Sequence, residues 1–167
     1  SYSTVFKKGY SKFIENSVMS GLDGLTIPDL PVEENQEIFE IARKNDFKVV
    51  CFIAPTTTDQ RVSLITQKAQ GFLYYISVVG ITGIRDKLPD DIIQNINKLK
   101  QMTNIPVAVG FGVSTSEHAK LIGTVADGVI VGSAIMREIE KYAKEPSEEL
   151  VRGVGEFVGQ LISGAKG

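Results

Sequence analysis

Cys51 is the only cysteine and His118 the only histidine in 167 residues. One thiol can make neither a disulfide framework nor a cysteine-based metal cluster, and no metal site is expected. Net charge is equally scarce: 18 Lys+Arg against 20 Asp+Glu leave −2. That balance lacks the clustered Lys and Arg of an electrostatic nucleic-acid footprint. No apolar run reaches the roughly 18–20 residues of a membrane span, and no signal-peptide pattern opens the chain. These absences predict a soluble, cytoplasmic protein (a plastid one if the source is a plant) that engages neither nucleic acid nor membrane. What the chain does have is core-forming material, 43% hydrophobic and 8% aromatic. Domains usually run to about 100–200 residues, so one compact unit over 1–167 is expected. The opening Ser1-Tyr2-Ser3-Thr4-Val5-Phe6 is already apolar and has no initiator Met; it reads as processing, a tag scar or a cut through the middle of a larger domain, and the rest of the sequence favours the cut.

Short β-branched apolar runs alternate with longer amphipathic stretches along the chain. A helix is expected over Gly9–Ser20, with Phe13, Ile14, Val18 and Met19 as its apolar stripe. Strands are expected at Gly24–Ile27, Phe47–Ala54, Phe72–Val78, Ile105–Val109 and Gly128–Val131. Helices fill the intervals: Val32–Lys44, one capped by Thr58 and running to Ala69, and one starting at Pro89-Asp90 with Ile92, Ile93, Ile96 and Leu99. Others follow a Ser114-Thr115-Ser116-Glu117 capping box and span Ala134–Tyr142 and Ser147–Ser163. The segment Gly80–Leu88 reads as a loop. Continuously apolar strands are the habit of parallel sheets buried on both faces. Five βα units fit either an open doubly wound sheet or part of a (β/α)₈ barrel. The first strand is followed by no GxGxxG, which weakens a dinucleotide-binding reading.

The glycines favour the barrel. They fall at the C-terminal ends of the last three strands, in Gly80-Ile81-Thr82-Gly83, Gly110-Phe111-Gly112-Val113-Ser114 and Gly132-Ser133-Ala134. In parallel barrels that face holds the active site, often with phosphate on the last loops and a helix N-terminus. Glycine lets the backbone approach phosphate oxygens, and free N–H groups at a helix start supply donors and partial positive charge. Ser133 adds a hydroxyl donor beside them. The alternative is that these glycines only make turns.

In order, the motifs Gly21-Leu22-Asp23-Gly24-Leu25, Ile27-Pro28-Asp29-Leu30-Pro31-Val32-Glu33-Glu34, Ala54-Pro55-Thr56-Thr57, Gly71-Phe72-Leu73-Tyr74-Tyr75-Ile76-Ser77, Gly80-Ile81-Thr82-Gly83, Gly110-Phe111-Gly112-Val113-Ser114 and Val131-Gly132-Ser133-Ala134-Ile135 make a specific set. The sequence resembles the alpha subunit of tryptophan synthase over essentially all of its length. The resemblance implies a (β/α)₈ barrel, of which this chain covers about five βα units, the family's strands four to eight. It implies cleavage of indole-3-glycerol phosphate to indole and glyceraldehyde 3-phosphate. No cofactor is implied in this subunit. The implied partner is a pyridoxal-phosphate-dependent beta subunit, in an alpha2beta2 complex, that receives the indole through a tunnel.

Carried over residue by residue, the family's phosphate contacts fall on Gly83, Gly112, Gly132 and Ser133. Phe111 and Tyr74 match positions lining the indole pocket. Thr82 matches the lid-loop threonine that positions a catalytic aspartate, and Asp29 and Pro31 match the subunit-facing loop after the family's fourth strand. The family's proton-shuttling glutamate and its charge-stabilising aspartate belong to the second strand, which this chain does not include. Asp29 is the one carboxylate on the matching face, and reads more readily as an interface or capping residue than as a substitute acid. Asp59, Asp86 and Asp90 read as helix-start or loop charges, Lys141–Glu149 as a solvated connection, His118 as solvent-facing and Cys51 as an inert buried thiol. Arg85 reads equally as a substrate contact or a solvated charge. Two other readings stay open: another phosphate-binding barrel enzyme such as indole-3-glycerol-phosphate synthase, and a non-catalytic half-barrel that keeps the phosphate cradle without the chemistry. An incomplete barrel is expected to leave two strand edges and its inner face exposed.

Overall fold

The computed structural model describes residues 1–33, 35–76, 91–110 and 112–166. Its elements are α1 (Tyr2–Lys8), α2 (Tyr10–Met19), β1 (Gly24–Thr26), α3 (Gln36–Lys44), β2 (Lys48–Ile53), α4 (Asp59–Lys68) and β3 (Leu73–Ile76). They continue with α5 (Ile92–Met102), β4 (Val107–Gly110), α6 (Ser116–Gly123), β5 (Gly128–Ile130), α7 (Ser133–Lys141) and α8 (Ser147–Lys166). The expected Gly80–Leu88 loop, with Thr82, Gly83, Arg85 and Asp86, lies outside the described residues, as do Asp90 and Phe111.

All strand pairs are parallel and the order is β1-β2-β3-β4-β5. A doubly wound sheet would reverse direction at a switch point; this one advances one strand at a time, as a barrel does. The register sorts side chains into two faces. Leu25, Val49, Cys51, Ile53, Leu73, Tyr75, Val107, Val109 and Val129 share the outer face, and all but the partly covered Leu25 and Val129 are buried. The helices cover that face with i, i+3, i+4 stripes: Ile38, Phe39 and Ala42 on α3, Val62 and Ile65 on α4, Ile92, Ile96 and Leu99 on α5, Ala119 and Ile122 on α6. The inner face carries Thr26, Phe52, Tyr74, Ile76, Ala108, Gly110 and Ile130, and apart from Val50 it is only half-buried or exposed. The expectation of strands buried on both faces is corrected: β3 and β4 alternate, because helices pack on one side only. Among the described residues, β1 and β5 each pair on one side alone.

Several boundaries moved for identifiable reasons. Residues 2–8 form a helix the periodicity did not signal. On α2 the buried stripe is Ile14 and Ser17, while Val18 and Met19 are 40% and 77% exposed. Helix α3 starts after Asn35 rather than at Val32, because the Asn35 side chain holds the preceding loop. Strand β4 starts at Val107 because Pro106 has no N–H for the ladder, although its carbonyl accepts from Leu73 N–H at 2.8 Å. The cap of α4 is Thr58, as expected. That of α6 is Thr115, not Ser114: Thr115 Oγ1 accepts from His118 N–H at 3.2 Å. Thr115→Ala is expected to cost about 1 kcal/mol in denaturant unfolding and Ser114→Ala only a few tenths; equal costs would return the cap to Ser114.

Asp127 joins the lower ends of β4 and β5. Its carboxylate accepts from Val107 N–H at 2.8 Å and from Lys100 at 2.8 Å. The Lys100 ammonium, then the Val107 N–H, hold its carboxyl below the usual aspartate range. A lowered carboxyl stabilises the fold above its unfolded pKa, and loses that contribution as pH falls through the folded value. Asp127→Asn is therefore expected to cost about 1 kcal/mol near neutral pH, since the pair is partly open to water. The difference from the unsubstituted chain should close on acidification, as read by urea midpoints at several pH values.

Candidate phosphate and substrate site

Strand pairing brings two glycine loops side by side. Gly110 pairs with Ile130, so Gly112 and Gly132, each two residues further on, leave the sheet at the same level. Gly112 has φ +31°, a region that L side chains avoid, and turns the chain into the α6 cap. Gly132 precedes α7, whose first intrahelical bond runs from Met136 N–H to Gly132 O at 3.1 Å. The N–H groups of Ser133, Ala134 and Ile135 therefore stand ahead of the helical ladder, free to meet an anion together with the positive end of the helix dipole. Gly132 and Ser133 are exposed, and a β-carbon on Gly132 would meet nothing within 4 Å. Open space over free donors is what a phosphate needs. The starting residue of α7 is Ser133 rather than the expected Ala134, so its hydroxyl sits in the first turn.

On the inner face beside these loops lies Tyr74. Its ring stacks obliquely on Phe52, centroids 4.9 Å apart at 34°. The far end of the same ring occupies the position a β-carbon on Gly110 would take. Gly110 is thus the floor on which Tyr74 lies, a role sequence reasoning missed. Its signal was present only as one glycine within a recognised motif. Burial raises the Tyr74 phenol, so it stays protonated at neutral pH. Tyr74 and the two glycine loops meet on one face; Phe111, Thr82 and Gly83 cannot be placed with them.

Asp29 and Pro31 lie elsewhere, in the loop that follows β1, at the opposite edge of the sheet from β5. Asp29 is exposed and accepts Tyr2 N–H at 2.8 Å. That bond, first among its influences, holds its carboxyl below the ordinary range. A general acid needs the opposite shift, which is in keeping with the reading of Asp29 as an interface or capping residue. Cys51 is buried on the outer face and its thiol is pushed up to about 11 by burial, the inert reading expected of it. Asp59 opens α4 and pairs with Lys98 at 2.6 Å, and the Lys141–Glu149 connection is exposed but for Tyr142. His118 departs from expectation: it is half-buried, with Nδ1 shielded and without a partner among the described residues. Among those residues no group of three His, Cys, Asp or Glu could hold a metal ion, and no helix is long and apolar enough to cross a membrane.

A parallel βα arc that advances one strand at a time, with glycine turns at the C-terminal ends of its last strands, is of the TIM-barrel class. The model of the family "Tryptophan synthase alpha chain" matches residues 1–165. The chain is 42% identical over 161 residues to the tryptophan synthase alpha chain of Thermoanaerobacter sp. strain X514, covering 96% of this chain and 60% of that relative. It is 40% identical over 144 residues to that of Methanocaldococcus jannaschii, covering 86% and 51%. The solved alpha chain of Legionella pneumophila superposes with a TM-score of 0.82 at 28% identity, over 97% of this chain and 59% of that one. A tryptophan synthase complex from Pyrococcus furiosus gives 0.79 at 34%, over 95% and 63%. The chain belongs to the tryptophan synthase alpha chain family. It spans about half to three-fifths of the length of the curated relatives it matches, 60% of the Thermoanaerobacter protein and 51% of the Methanocaldococcus one.

Proposed function

We propose that these residues form the phosphate- and indole-binding side of a tryptophan synthase alpha subunit, a lyase of tryptophan biosynthesis that cleaves indole-3-glycerol phosphate. The observation that carries this reading is the level pair Gly112 and Gly132 with the unladdered N–H groups of α7. Together with Ser133 and Gly83 they hold the phosphate by backbone donors. Tyr74 and Phe111 then flank the indole, and Phe52 braces the Tyr74 ring from 4.9 Å. Holding the substrate at both ends converts binding into alignment of the bond to be cleaved.

Cleavage needs a proton delivered to indole C3 and charge stabilised at the indole nitrogen. In this reading both come from the family's glutamate and aspartate on a portion of the barrel outside this chain, and Thr82 positions the aspartate as the lid closes. The subunit needs no cofactor of its own. Its product passes to a pyridoxal-phosphate beta subunit docked at the Asp29–Pro31 loop, in an alpha2beta2 cytoplasmic complex. The kinship with a tryptophan synthase complex supports the partner.

The test is indole release by the complete subunit. Thr82→Ala is expected to cut kcat by about a hundredfold and phosphate-analogue affinity by less than about threefold. Equal losses would remove the positioning role. A complete subunit that binds the analogue but releases no indole would favour the non-catalytic phosphate-binding barrel.

A further inference from the structure

Helices α1 and α2 grip the loop between β1 and α3 at both residues read as partner-facing. At Asp29, the carboxylate accepts the Tyr2 backbone N–H at 2.8 Å. At Pro31, the carbonyl accepts from Asn35 Nδ2 at 2.8 Å. Asn35 is 8% exposed, and its Oδ1 accepts from the Tyr2 hydroxyl at 2.6 Å and the Tyr10 hydroxyl at 3.0 Å. The two hydroxyls are 2.7 Å apart. Two phenolic hydrogens serve three contacts: the Tyr2 hydroxyl donates to Asn35 Oδ1, the Tyr10 hydrogen is shared between that Oδ1 and the Tyr2 hydroxyl oxygen, and Asn35 Nδ2 donates one of its two hydrogens to the Pro31 carbonyl. Burial, then the Tyr2 hydroxyl, pushes the Tyr10 phenol up to about 12, so it remains a donor at neutral pH. From the other side, Lys68 Nζ donates to the Val32 carbonyl at 2.7 Å and Arg61 Nε meets Glu33 at 3.0 Å. Tyr2 therefore reads the loop twice, through its backbone at Asp29 and through its hydroxyl, by way of Asn35, at Pro31.

We propose that Tyr2, Tyr10 and Asn35 are positioning residues that set the shape of the Asp29–Pro31 turn and so its presentation to the docking beta subunit. This inference rests on the reading of that turn as partner-facing. A loop held by a buried amide and two phenols is fixed before the partner arrives, which removes the ordering cost from association.

The experiment titrates the complete alpha subunit with the pyridoxal-phosphate beta subunit by calorimetry. Tyr2→Phe and Asn35→Ala are each expected to raise Kd by about tenfold, with binding of a glycerol-phosphate analogue unchanged. In the double substitution of Asn35→Ala with Pro31→Ala the losses should fall short of multiplying, because both act through one turn. If Asp29→Ala and Pro31→Ala weaken binding while Tyr2→Phe and Asn35→Ala do not, the positioning role is overturned and the partner-facing reading stands. If none of the four weakens binding, the turn does not face the partner and both fall. Losses that multiply independently also overturn the positioning role. Should Asn35→Ala unfold by circular dichroism, Tyr10→Phe, which removes one hydroxyl only, decides the matter in the same titration.

Discussion

Gly110→Ala in the complete subunit is expected to lower kcat/KM for indole-3-glycerol phosphate by about a hundredfold, the scale of a 1 Å misplacement at a reacting centre. The new β-carbon would stand where the end of the Tyr74 ring now lies. The ring cannot yield toward Phe52, which stacks on it at 4.9 Å, so it must swing off the inner face. The stability cost should be about 1–3 kcal/mol, the usual scale of overpacking. Steady-state kinetics beside a urea melt separate the two. A combined Gly110→Ala and Tyr74→Ala variant should be little worse than Tyr74→Ala alone. Full activity in Gly110→Ala would mean that the ring's position does not matter to the reaction.

Gly132→Val is the complementary case, in which the protein has room and the ligand does not. A β-carbon there touches nothing within 4 Å, and φ −120° lies outside the left-handed region that disfavours side chains. The fold should be indifferent. The branched side chain would instead fill the approach to the N–H groups of Ser133, Ala134 and Ile135. Losing backbone bonds to a charged phosphate should weaken binding by about 2–3 kcal/mol, roughly a hundredfold. Calorimetric titration with a glycerol-phosphate analogue checks it, and unchanged affinity would remove the phosphate from this loop. Gly112→Val is a poorer probe, because φ +31° strains the backbone whatever the ligand does.

The sheet and the glycine turns at its strand ends were legible in the sequence because both depend on local pattern. β-branched runs between amphipathic stretches specify parallel βα units, and glycines at strand ends mark where a backbone must approach something. Element boundaries were legible to within a few residues where Thr58 carried the signal, whereas the start of β4 was placed two residues early because Pro106 was passed over. They failed where a side chain was engaged at long range, as with Asn35, or where two residues competed for one cap, as with Ser114 and Thr115. Burial on α2 was misread because Ser17, whose hydroxyl bonds Phe13 O at 2.8 Å, faces inward while Met19 faces out. The Tyr2–Tyr10–Asn35 cluster left no trace in periodicity. Its members come together only when β1 and the helices beside it are folded. The same holds for Tyr74 on Gly110, residues that meet across paired strands.

The strand order has a consequence for how the chain reaches this state. Each strand pairs with the next in sequence, Gly24 with Lys48, Cys51 with Leu73, Leu73 with Val107 and Ala108 with Gly128. Among the described residues every ladder therefore closes a loop of about twenty to thirty-five residues. Assembly can proceed by accretion, one βα unit docking on the last, with refolding in several phases. At each stage the newest strand presents an unpaired edge and an uncovered outer face, so the point of greatest vulnerability to aggregation travels along the chain with the growing sheet.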